Sequence, residues 1–186
     1  MTPGEDLMQE HGLLERILLI YDEGARRIEH AEPLDPALLH SAAGIVQRFV
    51  EQYHEQLEEQ FVFPRLTTAQ RETQLVATLL LQHERGRLLT EDILRRTGAT
   101  PGPELAERLR SFTRMYRPHA AREDTVLFPA FRALVGGRAY HELGEQFEDK
   151  EHALFGEHGF EGNVAQVARL EAALGIEDLA RFTPPA

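Results

Sequence analysis

The sequence predicts an all-α protein: an antiparallel four-helix bundle with a C-terminal helical cap. Three observations carry that expectation. Apolar residues recur every three or four positions in four long runs, the breaks between runs are short, and no stretch alternates apolar and polar residues as a half-buried strand would. The first run places Leu7, His11, Leu14, Leu18, Tyr21, Ala25 and Ile28 on one face, and the PLDP stretch at 33–36 ends it. The second reads Leu39, Ala42, Val46, Val50, His54, Leu57, Glu58 and Phe61 and is expected to stop near Pro64. A third follows Thr67-Thr68, read as N-cap residues, through Leu75, Leu79, His83, Thr90, Ile93 and Thr97. After the GATPGP loop at 98–103, the fourth runs Leu105, Leu109, Phe112, Tyr116, His119, Glu123, Val126 and Ala130, and Gly136-Gly137 closes it.

Residues 1–135 thus form the bundle, and residues 136–186 a helical extension of the same domain. In that extension a fifth helix is expected over Tyr140–Phe155 and a short sixth over Val164–Leu174, with Gly156, Gly159 and Gly162 interrupting between them.

Composition narrows the chemistry. The chain has no Cys, which excludes disulfides, thiolate ligands and thiol nucleophiles. Its formal charge of −11 opposes binding to phosphate backbones, so no nucleic-acid partner is expected. The N-terminal MTPGEDLMQEHG is acidic where a signal peptide needs a basic start, and no apolar run suffices to span a bilayer. These features predict a cytoplasmic protein without membrane contact, a monomer or weak homodimer.

Two stretches repeat one pattern. HEQLEEQFVFP at 54–64 and HAAREDTVLFP at 119–129 each hold a His, a Glu four residues later, and a Phe-Pro pair ending six residues beyond the Glu. Residues four apart share a helix face, so His54 joins Glu58 and His119 joins Glu123 on the apolar stripe. His11 and His83 sit on the equivalent stripes of the first and third helices. A lone inward His is ordinarily a hydrogen-bonded core residue, and a buried carboxylate its ion-pair partner. Four helices each supplying an inward His, two with an added Glu, point instead to a cage for two transition-metal ions. Nitrogen and oxygen donors without sulfur suit iron, manganese or zinc. The zinc-protease pattern His-Glu-x-x-His is absent, and ferritin-like bundles use Glu-x-x-His, a different order and spacing.

The combined pattern of His11, His54-x-x-x-Glu58, His83 and His119-x-x-x-Glu123 over roughly residues 5–135 resembles the hemerythrin-like (HHE cation-binding) domain family. The resemblance implies a bundle holding two non-haem iron ions, oxo- or hydroxo-bridged. His11 and His54 would bind one ion, His83 and His119 the other, and Glu58 and Glu123 would bridge them. It also implies small-molecule partners: dioxygen, peroxide or nitric oxide. Oxygen-carrying members place a second His one turn after the third-helix ligand, where this chain has Arg87, and use His-x-x-x-x-Asp on the last helix, a spacing Asp124 would fit. Glu123 is preferred to Asp124 because it shares the face of Tyr116 and His119, while Asp124 is turned about 100° away.

Around these ligands, Glu55 is read as a solvated neighbour of His54, with a role as an extra or exchangeable ligand, known in relatives, as the other option. Tyr53 and Tyr116 are candidates to hydrogen-bond a bound oxidant or carry an electron, against a plain core role. Pro118 should kink or bulge the fourth helix beside His119. His152 would reach the site only if the fifth helix covered the open end, and His30, His40, His141 and His158 are expected at the surface.

Within the family, Cys-bearing segments mark repair proteins and fused domains mark sensors, and this chain shows neither. The expectation is catalase-like peroxide removal or related nitric oxide and oxygen chemistry. A non-catalytic oxygen- or iron-binding protein is the alternative, and a bundle without metal the third reading.

Overall fold

The computed structural model describes residues 1–156 and 158–184. Helix α1 (Pro3–Glu29) starts from a capping box in which the Thr2 hydroxyl accepts from Glu5 N–H, and the Glu5 carboxylate accepts from Thr2 N–H at 3.1 Å. Glu5 and Asp6 in its first turn and Arg26 and Arg27 in its last complement the helix dipole. Asp35, accepting from Ala37 N–H, caps helix α2, which runs unbroken over residues 36–68. Helix α3 spans Thr73–Arg96, helix α4 covers residues 103–135, helix α5 spans Gly137–Phe155 and helix α6 spans Gly159–Leu174. A 3-10 turn at Leu179–Phe182 follows, and no strand occurs among the described residues.

Side-chain pairs show that α1 to α4 run antiparallel to their neighbours. Asp22 meets Arg110 while His11 meets Asp124 across α1 and α4. Asp92 meets Arg108 while Gln82 meets His119 across α3 and α4. Between the four rods lies the apolar core, including Leu18, Tyr21, Phe49, Leu79, Leu109 and Phe112. No helix among the described residues is long and apolar enough to cross a membrane.

Helix α2 does not end at Pro64. It is α-helical at Pro36–Ile45, Glu55–Leu57 and Phe63–Thr68, and π-helical at Val46–His54 and Glu58–Val62. The same widening recurs in α4, π-helical at Glu123–Leu127 between Pro103–Arg122 and Phe128–Val135. Proline lacks an N–H and crowds the carbonyl four residues back. Just before Pro64 and Pro129, the Phe63 and Phe128 N–H groups reach back five residues, to the carbonyls of Glu58 and Glu123. One wide turn absorbs each proline, and the rod continues. The bulge lies there and not at Pro118, through which α4 passes as ordinary α-helix.

Thr67 and Thr68 therefore belong to the last turn of α2 and do not cap α3. The intervening turn places Gln70 and Glu72 in the left-handed region, at φ 56° and 48°. In the extension, Gly156 (φ +81°) breaks the chain, whereas Gly159 and Gly162 lie inside α6, five residues longer than expected at its start. Residues of α5 and α6 pack on the bundle: Phe155 and Phe160 reach Phe49, and Phe147 packs edge-on against Phe61. The Tyr140 hydroxyl accepts from Gly4 N–H at 2.9 Å, and Arg16 forks onto Glu171.

Candidate metal centre

The four inward histidines, one from each rod, meet in the core and are buried. Their Nδ1 atoms all face outward onto oxygens: His11 to Asp124 at 2.7 Å, His54 to Glu10 at 2.5 Å, His83 to Glu59 at 2.9 Å and His119 to the Gln82 amide at 2.9 Å. A carboxylate or amide oxygen accepts from an imidazole N–H, so each Nδ1 carries a hydrogen and each Nε2 points inward, where a bound cation would take the place of any proton it holds. The His83 and His119 Nε2 atoms lie 3.3 Å apart.

Glu58 and Glu123 complete the cluster. Glu58 Oε2 lies 3.6 Å from His54 Nε2 and 3.5 Å from His83 Nε2. Glu123 Oε2 lies 3.3 Å from His11 Nε2 and 3.1 Å from His119 Nε2. Two three-residue groups result, His11-His54-Glu58 and His83-His119-Glu123, the donor atoms of each within 4.8 Å of one another. Each carboxylate also touches an imidazole of the other group. All four carboxylate oxygens are buried without a hydrogen-bond partner. Converging lone pairs and unpartnered buried carboxylates repel one another unless protons or cations stand between them. Burial and the Glu123 charge push the Glu58 carboxyl well above its usual range. The nitrogen and oxygen donors, the outward hydrogen bonds orienting each imidazole, and the orphaned oxygens fit a pair of transition-metal cations.

The repeated Phe-Pro pairs now have a structural role. Phe63 stacks on His83 with ring centroids 5.5 Å apart, and Phe128 stacks on His11 at 5.6 Å. The π-turn beginning at each Glu sets the rotation that delivers the following Phe to an imidazole on a neighbouring rod.

Several sequence expectations change in the fold. Glu55 is not solvated: it is 1 % exposed, accepts the Tyr116 hydroxyl at 2.6 Å, and lies 2.7 Å from Arg87 Nη2. Tyr116 packs against His119, but its hydroxyl is committed to Glu55 and not free to meet a bound oxidant. The Tyr53 ring packs on Phe49 and Phe155, and its buried hydroxyl lies beside Glu10 without a hydrogen bond of good geometry. Asp124 does not point into the cluster; it supports His11 from behind. Arg87 pairs with Glu55 and Glu59. His152 is exposed, as are His30, His40, His141 and His158. Sequence reasoning missed Glu10, Glu59 and Gln82, each one residue before His11, one residue after Glu58 and one residue before His83. Such positions point about 100° off the stripe, and only a neighbouring rod turns them inward.

Residues 2–131 match the family model described as the hemerythrin HHE cation binding domain. Proteins of Mycobacterium bovis and of two Mycobacterium tuberculosis strains, all named as uncharacterized, are 46% identical over 190 residues, covering 99% of this chain and 74% of theirs. No solved structure matches the chain.

Proposed function

This chain belongs to the hemerythrin HHE cation-binding domain family, and from that premise we propose that its centre holds two iron ions and disproportionates hydrogen peroxide. His11 and His54 would hold one ion, His83 and His119 the other, with Glu58 and Glu123 shared between them. The observation that carries this reading is the position of those two carboxylates, each unpartnered and each between imidazoles of opposite groups. Bound iron would supply reversible electron exchange and a Lewis-acidic position for a small oxidant.

The chain's own residues supply the rest. The Nδ1 hydrogen bonds hold the four imidazoles in one tautomer and orientation. Phe63 and Phe128 wall the centre with apolar surface and keep water from it. Arg87 stands where an oxygen carrier has a further histidine, so an ion held by His83 and His119 would have fewer protein donors and would leave a position for a substrate. Two peroxide molecules become one dioxygen and two waters, a balance that needs no external electron donor. That makes peroxide removal the chemistry this set of residues supports without a redox partner.

The test is anaerobic reconstitution with ferrous iron, followed by metal analysis, absorption spectroscopy and an oxygen electrode. The expected result is two irons per chain and evolution of one dioxygen per two peroxides added. A reversible dioxygen spectrum without turnover would replace the enzyme by a carrier. Failure to take up iron would overturn the di-iron reading.

A further inference from the structure

We propose that the carboxylates of Glu55 and Glu59, against the outer edge of His83, form a transit site through which ferrous iron reaches the centre, and that Arg87 is its removable plug. The proposal rests on the di-iron reading above.

Glu59 is 22% exposed and Glu55 is 1% exposed, so the two carboxylates form a step from solvent into the core. Oxygens of Glu55 and Glu59 and the outer nitrogen of His83 lie within 4.8 Å of one another; the two carboxylates are close enough to share one cation, and the His83 Nδ1–H donates to Glu59 and orients it. The opposite nitrogen of the same imidazole faces the centre, 3.5 Å from Glu58. His83 is therefore the wall common to the transit site and the metal centre.

The place of a cation in this notch is taken by Arg87. Its Nη2 lies 2.7 Å from Glu55 Oε2 and 2.6 Å from Glu59 Oε1. One nitrogen serves both carboxylates, a point-charge arrangement and not the forked pairing by which Arg holds a partner most firmly. Arg87 is 32% exposed on a long flexible stem, so it can swing to solvent without disturbing the core.

Glu55 is aimed for this role. Its Oε2 is fully buried, with the Arg87 guanidinium 2.7 Å away as the cation that faces it. Its Oε1 is held by the Tyr116 hydroxyl at 2.6 Å. Gly86 makes room for that hydroxyl, because a Cβ there would lie 2.0 Å from it. A carboxylate fixed on one oxygen and presented on the other is built to receive a cation. A surface cavity of about 780 Å³ beside Asp124 presents Arg132 and His141 and lacks a comparable cluster of donors.

Rapid mixing of the iron-free chain with ferrous sulfate under nitrogen, and extraction of the loaded chain by bipyridyl, tests the proposal. Arg87→Met keeps the stem and removes the charge; it should load and release iron about tenfold faster. Glu59→Gln keeps an oxygen for the His83 N–H and removes the charge; it should load about tenfold more slowly. Arg87→Met should end at the wild-type iron content. Wild-type loading should slow with added salt, and loading of Glu59→Gln should respond less. Rates within about twofold of wild type in Glu59→Gln, with an unchanged salt response, overturn the transit site whether or not Arg87→Met folds. A wild-type chain that reaches two irons with those unaffected rates leaves the di-iron reading standing alone, whereas one that takes up no iron overturns both.

Discussion

The two halves of the proposed metal centre present the same imidazoles and carboxylates inward but are backed differently. Behind His11 and His54 stand Asp124 and Glu10, and neither carboxylate has an Arg or Lys partner among the described residues. Behind His83 and His119 stand Glu59, whose charge Arg87 takes up, and the neutral amide of Gln82. A carboxylate behind an imidazole raises the basicity of the nitrogen facing the metal. The first half should therefore hold its cation more tightly, and the second should exchange it more readily. A near-repeat in sequence has become two unequal positions, because the residues behind each histidine come from other helices.

The largest effect should come from the residues common to both halves. Glu58→Ala or Glu123→Ala removes a contact to one imidazole of each group, so metal analysis should find both irons lost together. Asp124→Ala should retain both ions with affinity weakened about 10- to 100-fold, the cost usual for a group orienting a ligand. The reverse outcome, Asp124→Ala emptying the site and Glu123→Ala filling it, would exchange the two assignments.

A smaller effect should separate the halves. Chelator titration of the loaded wild type should show two steps, the first drawing iron from His83 and His119. Glu10→Gln should weaken the tighter step by about tenfold or more, while Gln82→Met should shift the looser one by less. Equal steps in the wild type would remove the asymmetry.

The smallest effect concerns stability without metal. Burial pushes Glu10 and Glu55 up to about 8. Burial pulls the His11 imidazole down, but Asp124 and Glu123 outweigh it and bring it to about 9. Each group binds a proton in the folded chain that the unfolded chain gives up, so stability is lost as pH rises toward those values. His54 and His83, held neutral by burial, act in the opposite sense only below the ordinary His value of 6.5. Between pH 6.5 and 8, the unfolding free energy of the iron-free protein, read from urea titration, should therefore fall by an amount of order 1 kcal/mol for each such group. Glu10→Gln should flatten the slope. Glu59→Gln should not, because although burial opposes it, the His83 and Arg87 partners hold Glu59 below its usual range and ionised throughout.

Much of the centre was legible in the chain itself. The period of about 3.6 residues is a local property, so the stripe through Leu7, His11, Leu14 and Leu18 marks an inward face before any partner is known. The spacing of His54 to Glu58 and of His119 to Glu123 likewise makes each pair adjacent within its own helix. The prolines misled because a break is the ordinary result of a proline in a helix, whereas here a π-turn before Pro64 and Pro129 absorbs each one.

What the sequence determined by itself was which residues share a helix face: four histidines and two glutamates on apolar stripes, and hence a centre with nitrogen and oxygen donors. Only the tertiary structure decided which residues stand behind them. Glu10, Glu59, Gln82 and Asp124 lie off those stripes and meet a histidine only across a helix–helix contact, while Glu55 is buried by Tyr116 and Arg87 from two other rods. Neighbours on one helix follow from its pitch, but neighbours across helices follow from how the rods are rotated and set against one another, which no local spacing encodes.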